Sequence, residues 1–122
     1  MPDGYTSLVS ALKALTQGET PDPVITLPMA EDEWNTRPDA ASYGTVTLDF
    51  EADTLTGDDV KTATAYQGTV NLYSTDRSGA GWVELITRTL TDQCDACWSL
   101  NYHTYERETR LFRWEWVYEV EG

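Results

Sequence analysis

Basic residues are scarce. Eight Lys and Arg stand against 21 Asp and Glu in 122 residues, a formal charge of −13 at neutral pH. Proteins that grip DNA, RNA or anionic lipid by the phosphates carry the opposite sign, so specific nucleic-acid binding and membrane-surface binding are not expected. Cysteine is limited to Cys94 and Cys97 and histidine to His103, too few for a disulfide framework or a four-ligand zinc site built from Cys and His alone. No run approaches the ~20 apolar residues of a membrane span. The N-terminus, Met1-Pro2-Asp3-Gly4-Tyr5, lacks the basic region and apolar core of a secretory signal. An intracellular soluble protein is expected.

Aromatic residues are plentiful, with five Trp and seven Tyr. A chain of this length hides about two-thirds of the surface its unfolded form exposes, enough for one core without staples. One domain over residues 1–122 is therefore expected.

Two periods alternate along the chain. From Thr6 to Gln17, Leu8, Val9, Leu12 and Leu15 recur at helical spacing, with Thr6 or Ser7 as cap and Gly18 as stop. Pro21 and Pro23 force an extended connection to a short strand, Val24 to Leu27. Residues 29–43 show neither period and read as an ordered loop pinned by Trp34. Strict alternation over Thr45 to Glu51 sets Val46, Leu48 and Phe50 against Thr47, Asp49 and Glu51, as in a half-buried strand. A second strand, Ala65 to Tyr73, completes a hairpin with a long acidic tip over Thr54 to Thr64. Trp82, Val83, Ile86 and Leu90 predict a helix from Trp82 to Gln93. Trp98 to Tyr105 alternates again, with Leu100 and Tyr102 on one face and Asn101 and His103 on the polar one. The final strand, Leu111 to Val120, sets Phe112, Trp114, Trp116, Tyr118 and Val120 against Arg113, Glu115 and Glu119. The fold class is α+β: an antiparallel-dominated sheet of about five strands with two helices, in the order α-β-β-β-α-β-β.

Candidate chemistry is thin. Cys94-Asp95-Ala96-Cys97 has the spacing of a redox pair or half a zinc site. It falls at the end of the second helix, where the dipole opposes a thiolate, so it reads as two structural cysteines. His103 lacks any nucleophile motif and reads as a surface or interface residue. Asp49, Glu51 and Asp53, followed by Asp58 and Asp59, do not have the spacing of a Ca²⁺ loop. They read as an acidic surface. Gly79-Ala80-Gly81 lacks the Lys and spacing of a phosphate loop and reads as a turn into the helix. Catalytic, cofactor and metal sites are not expected, and neither is enzymatic activity.

The stretches Met29-Ala30-Glu31-Asp32-Glu33-Trp34, Arg37-Pro38, Tyr43 to Ala52 and Ala65 to Ser74, with the element order, resemble small proteins from the head-to-tail morphogenesis region of tailed phages and prophages. The order is similar to that of tail terminators, the minor tail protein U-like family. That resemblance implies a structural protein that caps the tail tube as a ring, typically a hexamer, and presents a head-docking surface. Its partners would be the tail-tube protein and a head-completion protein, first in the host cytoplasm and then in the virion tail or neck. Asp53, Asp58 and Asp59 become candidates for a lumen or assembly loop, where carboxylates repel passing phosphates within about a Debye length, roughly 8 Å. Trp34, Arg37 and Glu115 become candidates for an interface. The alternatives are a head-completion or neck protein of the same particle and, from a different class, a small metal or redox module using Cys94, Cys97 and His103.

Overall fold

Two helices cover one face of a five-stranded sheet in the computed structural model, which describes residues 3–17, 25–34, 36–55, 61–95 and 97–121. The strands are β1 Thr16–Gln17, β2 Ile25–Thr26, β3 Met29–Glu31, β4 Ser42–Leu55, β5 Lys61–Ser74, β6 Trp98–Glu106 and β7 Leu111–Glu121; the helices are α1 Asp3–Lys13 and α2 Trp82–Gln93. The large sheet has the order β3-β4-β5-β7-β6, antiparallel except where β3 runs parallel to β4. The α+β class and the order α-β-β-β-α-β-β are as the sequence predicts, with β1 and β3 as short additions.

The core follows from the two periods. Tyr5, Leu8, Val9 and Leu12 of α1 and Trp82, Ile86 and Leu90 of α2 pack on Val46, Val70, Leu72, Trp114, Trp116, Tyr118 and Val120 of the sheet. Burial of Trp116, Leu72 and Ile86 is complete, and burying such side chains contributes about 1.5–3 kcal/mol each. Polar atoms on α2 complete the packing: Trp116 Nε1 donates to Thr87 Oγ1 at 3.3 Å and Trp98 Nε1 to Thr91 Oγ1 at 2.9 Å.

Four sequence expectations are corrected. First, α1 begins at Asp3 and ends at Lys13, so Thr6 and Ser7 lie inside it. Thr16 and Gln17 instead pair antiparallel with Thr26 and Ile25 as β1 and β2. Leu15 C=O accepts from Leu27 N–H at 3.1 Å, and cross-strand partners outweigh the weak helix preference of Thr16. Second, the expected loop over residues 29–43 opens with β3, whose short paired run has no periodicity to detect. Third, β4 and β5 continue as paired backbone to Leu55 and Lys61, shortening the expected hairpin tip; residues 56–60 lie outside the described set.

The fourth correction concerns bulges. A register shift between Leu48 and Phe50 places Phe50 opposite Gln67 and Glu51 opposite Tyr66, breaking the alternation at Asp49. Asp49 accepts from Thr47 Oγ1 at 2.9 Å and Thr69 Oγ1 at 2.7 Å. Beside it, Tyr118 Oη crosses the sheet to donate to Thr47 C=O at 2.7 Å. Gly68 leaves the room, because a Cβ there would stand 1.9 Å from Thr47 O and 2.4 Å from Tyr118 Oη. A second shift, between Leu100 and Tyr102, sets His103 opposite Trp114 and Tyr102 opposite Glu115. His103 therefore lies on the helix side of the sheet, not the polar side, with its ring stacked 4.4 Å from that of Trp114.

The turn into α2 is tight. Gly79, Ala80 and Gly81 have φ of 78°, 54° and 83°, left-handed values that favour glycine. A Cβ on Gly79 would also meet Val83 Cγ2 at 2.5 Å.

Candidate assembly surface

The sheet face away from the helices carries a second cluster, of polar and aromatic groups. Register puts Thr45, Asn71 and Glu115 in one row and Tyr43, Tyr73 and Arg113 in the next. Residues 32–34 and 36–41 fold over one end of these rows. Trp34 Nε1 donates to Gly44 C=O at 2.9 Å, the pin expected of that residue. Trp34 meets Tyr43 edge-on at 6.3 Å, and Tyr43 stacks on Tyr73 at 5.1 Å. Arg37 lies over the Tyr43 ring at 5.9 Å and donates to Thr109 C=O at 3.4 Å, linking this segment to the β6–β7 turn. Cation–π contacts at exposed sites contribute about 0.5–1 kcal/mol each.

Arg113 organises the next part of the face. Its Nε and Nη2 donate to Asn71 Oδ1 at 3.0 and 2.9 Å, and Nη2 also pairs with Glu115 at 3.2 Å. The guanidinium sits between the rings of Tyr73 and Tyr102, at 5.8 and 5.2 Å. Glu115 accepts in addition from Asn101 Nδ2, the residue at the β6 bulge. Glu106 Oε1 is shielded from solvent and accepts no hydrogen bond among the described residues; Arg113 Nη1 stands 3.7 Å away.

A shallow cleft of about 380 Å³ opens here, lined by Asp32, Glu33, Trp34, Arg37, Tyr73 and Glu106 among others. Burial raises the hydroxyl pKa of Tyr43 and Tyr73 above the ordinary phenol value. Arg37 opposes that rise at Tyr43 and Arg113 at Tyr73, while Glu106 adds to both. The cleft thus offers aromatic faces and the exposed carboxylates of Asp32 and Glu33. That combination suits donors on another polypeptide.

Trp34 and Arg37 meet in the cleft, and Glu115 joins them through Arg113 and Tyr73. Asp53 lies in β4 at the register position of Thr64, with its side chain outside the described set; Asp58 and Asp59 also lie outside it. Arg113, Asn71, Tyr43, Tyr73 and Glu106 were not singled out from the sequence. The alternation of the last strand put Arg113 beside Glu115, but nothing local showed that Glu106 and Asn71 would reach the same guanidinium.

The cysteines stand apart from this surface. Cys94 caps the C-terminus of α2 and is buried, whereas Cys97 is exposed. Cys97 N–H donates to Cys94 C=O at 2.8 Å in the turn between them. Burial, with Cys97 adding, pushes the Cys94 thiol up to about 12, so it stays protonated at neutral pH. A reactive thiol needs the reverse shift. Among the described residues no three His, Cys, Asp or Glu side chains converge as a metal site. No described helix is long and apolar enough to cross a membrane.

No protein-family model matches the chain, and no curated protein is significantly similar to it.

Proposed function

We propose that the chain is a structural subunit of the head–tail junction of a siphophage-like particle, a tail terminator acting by assembly rather than by chemistry. In this reading it closes a ring, hexameric by resemblance, on the tail-tube protein and docks a head-completion protein. It does so in the host cytoplasm and stays in the virion neck. The observation that carries the reading is the helix-free face of the sheet. That face brings Trp34 and Arg37 into one cleft of aromatic rings and carboxylates, with Glu115 joined to it through Arg113. The order α-β-β-β-α-β-β, which resembles that of the U-like family, supports it. The −13 charge supports a role beside DNA without adsorption to it, with Asp53, Asp58 and Asp59 toward the lumen.

The test is a phage whose copy of this gene carries Arg37→Glu, an exposed position. Electron microscopy of the lysate should show filled heads separate from tails, while the purified variant keeps its circular dichroism and melting temperature. Joined, infectious virions at normal titre would overturn the docking role. Asp58→Lys with Asp59→Lys should lower titre without unfolding the protein, and unchanged titre removes the lumen role.

A further inference from the structure

The cleft on the helix-free face is built from guanidinium groups laid on aromatic rings. Arg37 lies over Tyr43 at 5.9 Å, and Arg113 sits between Tyr73 and Tyr102 at 5.8 and 5.2 Å. Trp34 lines the same cleft and is half-buried. Its indole is the best ring for a cation, yet among the described residues no cation lies over it. The indole N–H on Gly44 C=O and the edge-on contact with Tyr43 hold the ring in place, so a ligand meets a surface that is already ordered.

Beside that ring, Asp32 and Glu33 supply carboxylates from a fixed turn. Asp32 N–H donates to Val46 C=O and Glu33 N–H to Glu31 C=O, both at 2.9 Å. Asp32 holds φ at 67°, a left-handed value that Asp and Asn adopt more readily than most residues. Both side chains are exposed and line the cleft with Trp34. An aromatic face and two carboxylates therefore share one small opening.

Charge selects the ligand once every neighbour is counted. Glu106 and Glu115 both stand against Arg113, which leaves that trio one charge negative. Asp32 and Glu33 share the lining with Arg37 and leave it one charge negative again. In the segments around them, Arg107 and Arg110 are offset by Glu108 and Asp39. The excess at the cleft is acidic, which calls for a cation. A planar guanidinium stacks on a ring while its N–H fork reaches carboxylates, whereas an ammonium is a strongly hydrated point charge. The cleft is shallow, about 380 Å³, and suits a side chain arriving from another surface better than an enclosed small molecule. We propose that it receives an arginine side chain of a partner polypeptide, with the guanidinium laid on Trp34 and donating to Asp32 and Glu33. This rests on the assembly role of the face and specifies the group that its partner supplies.

The test is an NMR titration of the purified full chain with N-acetylargininamide, followed at the indole N–H of Trp34, which Trp34→Phe assigns. A saturable shift with a Kd of about 1–10 mM is expected, the weak end of the affinity scale that one side chain can reach. N-acetylcitrullinamide, which keeps the shape and lacks the charge, should bind at least tenfold more weakly. Asp32→Asn with Glu33→Gln should weaken arginine binding at least fivefold while circular dichroism and melting temperature stay native, since both side chains are exposed. Asp92→Asn with Asp95→Asn removes the same charge from exposed positions at the end of α2 and should leave the Kd unchanged. A shift that does not saturate, equal binding of citrulline, or equal losses in the two double variants overturns the proposal. Arginine binding together with normal virions from the Arg37→Glu phage would remove the phage role and leave the site. Separated heads and tails without arginine binding would remove the arginine and leave the docking role.

Discussion

Gly68→Ala tests the packing beside the β4 bulge more sharply than any core truncation. The new Cβ would stand 1.9 Å from Thr47 O and 2.4 Å from Tyr118 Oη, with Tyr118 Cζ at 2.7 Å. Neither neighbour can yield cheaply. Thr47 O belongs to the backbone of a central strand, and Tyr118 is 1% exposed. Overpacking a core costs about 1–3 kcal/mol. Separating Tyr118 Oη from Thr47 C=O, now 2.7 Å apart, leaves buried polar groups unpaired for about 1–3 kcal/mol more. Gly68→Ala should therefore destabilise the chain by ~2–5 kcal/mol in urea unfolding, with an unchanged m-value. Tyr118→Phe alone should cost ~1–2 kcal/mol. The double variant decides the mechanism: without the hydroxyl, the clash with Tyr118 is eased and the hydrogen bond can be lost only once. The two costs should thus fall short of additivity by ~0.5–3 kcal/mol. An additive cycle, or a Gly68→Ala cost below ~1 kcal/mol, would refute the geometry.

Three further outcomes follow from the same contacts. Trp114→Ala should cost ~3–5 kcal/mol. Glu115→Ala, expected from alternation alone to be nearly neutral, should cost ~1–2 kcal/mol because its carboxylate accepts from Arg113 and Asn101; equal losses would show that β7 is misassigned. Tyr5, buried and facing Glu31, has its hydroxyl pKa raised from 10.0 to about 12, so the native state holds this proton longer than the unfolded chain. That contribution is complete below pH ~10 and is lost as pH rises toward about 12; urea midpoints should fall over that window and fall less in Tyr5→Phe, and equal slopes would count against it. A thiol reagent at neutral pH should modify exposed Cys97 readily and buried Cys94 only upon unfolding, which peptide mapping checks; equal rates would restore the pair as a redox candidate.

The sequence by itself determined the elements whose faces carry one dominant period. The helix over Trp82–Gln93 and the core stripe Trp114, Trp116, Tyr118 and Val120 are where spacing placed them, because apolar side chains have few other ways to leave water. Trp34 was likewise legible as the pin of an aperiodic segment. Tertiary structure decided what no local window contains. Both bulges depend on a partner strand: the one at Asp49 answers Thr69 and Tyr118 Oη, and the one at Asn101 answers Glu115. The bulge at Asn101 reverses the faces that simple alternation assigns downstream, which is why His103 stacks on Trp114. β1 and β3 exist only because distant segments supply their hydrogen bonds. The Arg113 cluster joins Asn71, Glu106 and Glu115 from three strands. Hydrogen bonds and ion pairs are set by distances across strands, which the order of residues along one strand does not encode.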